Sequence, residues 1–445
     1  MSASALGEGS VVVVGGGVAG LVAARAVASA GSVVTVLDGG ALGGAVASRR
    51  LDGLDLDVGA EGFATRGGTV LALLEQLGLA DRVVPPEPVG TWVYRREGST
   101  RIPDGAVLGI PTALGDAALD QLGDSAGMRV RQDAVLPASV GSHAATLGAL
   151  VRARMGDAVA ETWVGPLVAG VHRLDIEAIG PELLLPGVLA RLAERGSLAA
   201  ALAGGGGQLA GLRGGVSALV GALTDGLTAA GARVLPGAAT AVERHAQGWQ
   251  VRTSEGRVLR ADQLLLACPP WSWPSGLPTE VARVGADWPA PRPVDVVTLV
   301  MADDGGGRRS GVIVADGGGR VAARALTYSS AKWGWLAEAA HERAVLRLTY
   351  DARDLDDEAA LATAVADAAA LTRAGWTSHD LRAADRTRWS MPRTAVEPGM
   401  LGHREAMRSA LAAEPGLDAT GGWLAGTGLA WAITDGAAAA ARLLG

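Results

Sequence analysis

The sequence predicts an α/β protein in which a lobe built on a βαβ unit is joined to a second lobe with a mixed sheet and to a helical insertion. Three observations carry this prediction. Residues 11–20 read VVVVGGGVAG, so β-branched side chains run straight into Gly15, Gly16, Gly17, Val18, Ala19 and Gly20, and an alanine-rich helical pattern follows to Ala30. A second strand from Val33 then ends on Asp38. Strand, glycines, helix, strand and acid in this order are the fingerprint of a Rossmann-like nucleotide-binding lobe. Gly15 permits the tight turn, Gly17 lets the backbone approach a pyrophosphate, Gly20 lets helix and strand pack closely, and Asp38 can accept from a ribose hydroxyl. The second observation is the run from about Thr112 to Ala203, whose apolar spacing is helical and whose alanines are many. The third is the return of strand signals after Ala230 and the closing turn of residues 421–428, which joins an apolar strand to an alanine-rich helix from Thr434 to Leu444.

The elements between these landmarks follow in order. After Asp38 and Gly39 come Gly43 and Gly44, then an alternating run from Leu51 to Val58 that reads as one strand with a wet face, then Gly59, Ala60, Glu61, Gly62 and Phe63. A helix is predicted from Thr69 to Leu79, and the proline cluster of residues 85–88 breaks the pattern. Gly204–Gly207 read as a hinge, and a helix follows the Gly214-Gly215 pair to about Ala230. Strands at 233–235, 239–244, 248–253 and 264–267 return to the nucleotide lobe before Pro269-Pro270 stops the last. The resulting division gives residues 1–90, 204–270 and 385–445 to the nucleotide lobe, 91–203 to a mainly helical insertion, and 271–384 to the substrate lobe.

Length and composition bound the function. A chain of 445 residues with 49% hydrophobic content is too long for one core and ample for several. The net charge of −7, with no basic block, argues against nucleic acid or an anionic membrane surface as a partner, so an anionic substrate would need a local patch of arginines. The lone cysteine, Cys268, cannot form an intrachain disulfide, and the scattered histidines show no metal-ligand spacing, so no metal is expected. Nothing before Val11 reads as a secretory signal and no stretch reads as a membrane span, which makes a cytoplasmic protein without integral membrane contact the expectation. There is no second strand running into a GxGxxG turn. Without a second dinucleotide lobe, electrons would enter from the substrate itself.

The GGGVAG turn, Asp38, Gly43-Gly44, Gly59-Ala60-Glu61 and the closing strand with Gly426 resemble the FAD-binding amine-oxidase and protoporphyrinogen-oxidase superfamily. The segments VLGIPT (107–112), PLVAGV (166–171), GLRGG (211–215), YSSAKW (328–333) and RWSMP (388–392) are similar to the flavin-dependent porphyrinogen oxidases, above all the bacterial coproporphyrinogen III oxidases. The resemblance runs from about Val11 to Leu444. It departs at Asp38, where the superfamily usually has glutamate, at Ala41, where many members have arginine, and in a longer connection after Pro392.

The resemblance implies FAD as cofactor. It assigns Gly15–Gly20 to the pyrophosphate, Asp38 and Gly39 to the ribose, and Gly43, Gly44 and Gly59, Ala60, Glu61, Gly62 to the flavin side. Val242 would meet the adenine through its backbone, and Trp389 with Gly426, Gly428, Leu429 and Ala430 would complete the flavin pocket; from the residues alone, Val242 and Trp389 read as core. The implied reaction is the oxygen-dependent oxidation of coproporphyrinogen III to coproporphyrin III with release of hydrogen peroxide, in haem biosynthesis. Tetrapyrrole and oxygen are then the partners, with handover to the next haem-pathway enzyme. Lys332, the one lysine of the chain, is the first candidate for a substrate carboxylate, followed by Arg213 and Arg393. The pairs Trp271/Trp273 and Trp333/Trp335 could wall a planar substrate. No catalytic base stands out. Protoporphyrinogen IX, an amine or a carotenoid remains an alternative substrate on the same scaffold, as does a colourless binding protein without redox chemistry.

Overall fold

The structure is a computed structural model that describes residues 4–5, 9–204, 208–303, 309–315, 319–393, 397 and 399–445. The predicted βαβ unit forms the centre of a five-stranded parallel sheet in the order Arg233–Pro236, Val33–Asp38, Ser10–Val14, Gln263–Leu266, Leu417–Ala419. Its strands are apolar on both faces, as a parallel sheet covered on both sides requires. One face carries the helices Val18–Ser29, Ala218–Ala229 and Leu429–Leu444. The other packs on the antiparallel strands Ala239–His245, Gly248–Thr253 and Val258–Ala261 and on the helices Thr279–Ala286 and Met400–Ala412. The closing helix starts at Leu429, five residues earlier than the sequence suggests, and crosses the first helix so tightly that a Cβ on Gly436 would lie 2.5 Å from the Ala19 carbonyl oxygen.

The second lobe is a seven-stranded sheet in the order Leu381–Met391, Arg292–Ala302, Arg343–Asp351, Ala325–Tyr328, Gly311–Val314, Thr91–Arg95, Gly98–Arg101. This corrects the boundaries at both ends. The strands at residues 91–101 belong to this sheet, so the helical run begins at Ala117, and the strand Leu381–Met391 crosses the division set at 384/385. The helix Asp357–Thr372 covers one face of the sheet around Leu346, Leu348 and Tyr350. The other face carries Thr298, Val296, Val345, Arg347 and Thr349 and turns toward the nucleotide lobe, where Arg347 reaches the 59–61 loop.

The helical insertion, from Ala117 to Leu202, has its own core around Leu147, Leu150, Trp163 and Leu192. Its buried Arg154 pairs with buried Asp133, whose carboxylate also accepts from the backbone N–H of Leu198 and Ala199. The alternating run 51–58 is a hairpin rather than one strand: Ser48–Leu51 pairs with Leu54–Asp57 around Asp52 and Gly53, whose positive φ of 46° and 79° suit the Asp-Gly pair. Of the expected hinge, Gly205–Gly207 lie outside the described residues, as do 394–396 and 398 of the connection after Pro392.

Candidate active site

The fingerprint loop is held by the acid that ends the next strand. Asp38 accepts from the backbone N–H of Gly16 through Oδ2 at 2.6 Å and from Gly40 through Oδ1 at 2.7 Å. Two of its roughly four acceptor positions are thereby used, which leaves capacity for a ribose hydroxyl. Gly15 has φ of 111°, and its Cβ would lie 2.8 Å from the Ala267 backbone; a Cβ on Gly20 would lie 2.2 Å from the Gly15 carbonyl oxygen. Gly17 differs. A Cβ there would meet no atom within 4 Å, although Gly17 caps the first helix without any side-chain cap of its own. Open space in front of a helix N-terminus, beside a glycine no protein atom requires, fits a pyrophosphate that the backbone must approach.

The double glycine completes this cradle. Gly43 donates to the Gly16 carbonyl at 2.7 Å, Gly17 and Gly43 form a parallel bridge, and a Cβ on Gly44 would lie 3.3 Å from the Gly17 Cα. The 59–62 loop lies against the same segment: Ala60 donates to the Ala45 carbonyl at 2.8 Å, and a Cβ on Gly59 would be only 1.9 Å from that oxygen. Trp389 reaches this loop from the far lobe, with Nε1 donating to the Val58 carbonyl at 3.0 Å. On the C-terminal side, Gly426 and Gly428 have φ of 135° and 116° and lead into Leu429 and Ala430, the first turn of the closing helix. Asp435 in that helix accepts from Thr420 Oγ1 and the Gly421 N–H.

Glu61 is the electrostatic centre of the interface between the lobes. Its carboxylate accepts from Lys332 Nζ at 2.6 Å and Ser329 Oγ at 2.9 Å, and pairs with Arg347 at 2.9 Å. Arg347 also donates to the Gly59 carbonyl at 2.5 Å. Burial pushes the Glu61 carboxyl up, but the Lys332 and Arg347 charges outweigh it and hold the pKa at about 2. Nearby, Asp57 accepts from the backbone N–H of Val216 and Ser217 at 2.8 and 3.2 Å, and burial raises its pKa from its ordinary value.

The structure therefore brings Trp389 to Gly59 and joins Lys332 to Glu61, two residues given separate tasks in the sequence reading. Lys332 is 14% exposed and Glu61 13%, so this lysine is committed to a carboxylate of its own chain. Arg213 is exposed, with its backbone tied to Arg82. Arg393 pairs with Glu397 at 3.2 Å. Val242 has its N–H donated to the Ser275 carbonyl at 2.7 Å and its side chain in the core. The strand skips a register position between Ala239 and Ala241, so Thr240 rather than Val242 is the residue left without a cross-strand partner. Trp333 is buried against Gly62 and Gly211, while Trp271 and Trp273 line a separate pocket of about 380 Å³ beside the helix Thr279–Ala286.

Sequence reasoning missed Arg347, Ser329, Asp57 and Gly436. Only Ser329 had a signal, by adjacency to Lys332 in the YSSAKW segment. Burial pushes the Cys268 thiol up to about 12, so it is not held as a thiolate. Among the described residues no group of three or more histidine, cysteine or acidic side chains could hold a metal ion. What the site offers is a backbone cradle for a dinucleotide and a charged, mostly buried wall facing it.

The flavin containing amine oxidoreductase family matches residues 18–300. The chain belongs to this family. Its cofactor is the FAD that the cradle fits. A Mycobacterium tuberculosis coproporphyrinogen III oxidase is 32% identical over 367 residues, covering 77% of this chain and 76% of that one. The Mycobacterium leprae coproporphyrinogen III oxidase is 31% identical, covering 81% and 83%. A crystal structure from Exiguobacterium sp. 255-15, whose suggested name is protoporphyrinogen oxidase, superposes with a TM-score of 0.80 at 23% identity, over 98% of this chain and 99% of that one. Cyclohexylamine oxidase from Brevibacterium oxydans superposes at 0.64 with 16% identity, over 98% of each chain. The structural likenesses establish the fold, and the mycobacterial relatives in sequence are named coproporphyrinogen III oxidase. No helix among the described residues is long and apolar enough to cross a membrane.

Proposed function

We propose that the chain oxidises coproporphyrinogen III to coproporphyrin III with dioxygen as acceptor. Six hydrogens leave the substrate as three dioxygen molecules become three of hydrogen peroxide. FAD, when bound, supplies the two-electron acceptor for each of the three oxidations. The observation that carries this reading is the glycine backbone cradle at residues 15–20 and 43–44 beside a far-lobe wall from which Trp389 and Arg347 reach the 58–59 carbonyls. The names of the mycobacterial relatives support the choice of substrate.

The chain's own contribution is binding, orientation and exclusion of water. The 15–20 turn and the Gly43-Gly44 pair present backbone to a pyrophosphate, and Trp389 and Arg347 fix the 58–59 carbonyls from the opposite lobe. Glu61 stays ionised and its negative charge is matched by two cations, so the interface adds no unpaired anion beside an electron-rich ring. This leaves Lys332 the role of positioning the 59–62 loop.

The test begins with the visible spectrum of the purified protein, which should show an oxidised flavin. Porphyrin fluorescence is then followed with coproporphyrinogen III and protoporphyrinogen IX. A higher kcat/KM for the tetracarboxylate with peroxide formed in step supports the proposal. Turnover of an amine with neither porphyrinogen used, or a preference for protoporphyrinogen, overturns it.

A further inference from the structure

Lys332 already pairs with the mostly buried Glu61, and further cations for substrate carboxylates are sought among the arginines of the second lobe. The seven-stranded sheet supplies them at one end. Asp351 lies four residues beyond Arg347 on the same strand and the same face, about 13 Å away at the usual strand rise. It is shared by Arg173, which arrives from the helical insertion, and by Arg324 at 2.7 Å. Arg292, at the start of the neighbouring strand, donates to the Arg173 carbonyl at 3.5 Å and pairs with Glu397 at 3.0 Å. Arg393 joins the same Glu397. Among the described residues, four arginines thus pair with two carboxylates where the insertion, the sheet and the connection after Trp389 meet.

Position makes this cluster a rim. Asp351 stands opposite Val294, which in turn stands opposite Trp389, and the Trp389 ring lies against Gly59. The insertion closes on the sheet beside Arg173, where a Cβ on Gly170 would lie 2.7 Å from the Ile313 side chain. Between the Glu61 cluster and the arginines the sheet presents Val296, Thr349 and Thr387, which are small and uncharged. In a chain of net charge −7, a local excess of guanidinium is an anion-recognition feature. Each guanidinium carries five N–H donors in a fork suited to carboxylate, and Arg173 uses only one of its donors on Asp351.

We propose that Arg173, Arg292 and Arg393 form the carboxylate-recognising rim of the site and set its preference for a flat substrate bearing several carboxylates. This rests on the porphyrinogen reading and names the residues that would enforce it. A ring laid over Val296 and Thr349 would reach the rim with its peripheral carboxylates while its centre stays near the 59–62 loop.

The experiment uses the flavin-loaded protein and measures coproporphyrin III binding by fluorescence, together with KM and kcat for coproporphyrinogen III. Arg173→Gln and Arg292→Gln should each raise Kd and KM by about tenfold or more, the loss of one charged hydrogen bond, with kcat and the flavin spectrum little changed. Wild-type binding should weaken with salt, and the variants less steeply. Asp351→Asn should act in the opposite direction and tighten binding, which no failure of folding can imitate. Arg50→Gln, on the exposed 48–57 hairpin, serves as the charge control and should change nothing. Unchanged Kd in both arginine variants, or weaker binding in Asp351→Asn, overturns the rim. A wild type that binds and oxidises no porphyrinogen instead overturns the functional reading beneath it.

Discussion

The two lobes build their sides of the site by different means. The nucleotide lobe presents peptide groups: Gly15, Gly16, Gly17 and Gly43 are fixed by hydrogen bonds of their backbone and by contacts that leave no room for a Cβ, except at Gly17, where a Cβ would meet no protein atom within 4 Å. The seven-stranded sheet presents side chains, and Arg347, Lys332 and Trp389 reach across to hold carbonyls and one carboxylate of the opposite lobe. A backbone cradle tolerates little change in shape but carries no net charge. A charged wall tolerates shape change better and depends on every partner being present, because a buried ion left alone costs more than the pair gains.

The largest expected effect is on the cradle. A Cβ at Gly17 meets no protein atom within 4 Å, so for Gly17→Leu thermal unfolding of the apoprotein should stay within about 0.5 kcal/mol of wild type. Flavin affinity should nevertheless fall by at least about tenfold, read from the visible spectrum after gel filtration. Full flavin retention would show that backbone approach at this position is not what binds the cofactor.

Next comes the wall. Glu61→Gln keeps the shape and leaves Lys332 and Arg347 facing a neutral group, which should cost about 3–5 kcal/mol by denaturant unfolding. Glu61→Asp should recover part of this. A loss below about 1 kcal/mol would place the pair in the class of exposed ion pairs and erase the contrast between the lobes.

How much of this was legible in the sequence follows from the same contrast. The cradle is local: the turn, the helix and Asp38 lie within one βαβ unit, and glycine at fixed spacing has few other uses there. The wall is made by pairing residues such as Glu61 and Lys332 that lie far apart in the chain, and an arginine in a strand gives no sign of which face or partner it will find. Lys332 was conspicuous as the one lysine, but its rarity said nothing of its partner. The hairpin at Asp52-Gly53 was missed: the alternation that continues on both sides of the turn reads as one strand and concealed the break. Strands 91–101 gave the same difficulty, since their partner Gly311–Val314 comes from a distant part of the chain.

Acid titration separates two carboxyls of the interface by sign. Glu61 has a folded pKa of about 2 against an ordinary 4.5, so the stability it supplies is fully present above about 4.5 and lost as pH falls toward 2. That is about 3 kcal/mol, and the slope should vanish in Glu61→Gln. Asp57 is raised, so its contribution is present below its ordinary 3.8 and lost as pH rises through its folded value. Asp57→Asn should therefore flatten the opposite slope. Identical pH profiles for wild type and both variants would refute the electrostatic account of the interface.

The smallest expected effect tests whether burial, rather than charge itself, gives the wall its weight. Arg50 and Asp55 pair at 3.0 Å across the 48–57 hairpin, close in geometry to the Arg347 and Glu61 pair, but their side chains are 69% and 63% exposed. Water already solvates both ions, salt screens them, and holding two long side chains together costs entropy. Arg50→Ala should therefore shift the unfolding free energy by no more than about 0.5 kcal/mol and leave the flavin spectrum untouched. The hairpin register should persist, because the Asp52-Gly53 turn and the buried Leu54 and Leu56 set it rather than the ion pair. A loss approaching that of Glu61→Gln would mean that the hairpin transmits strain to the 59–62 loop, and the wall would then extend to the surface of the nucleotide lobe.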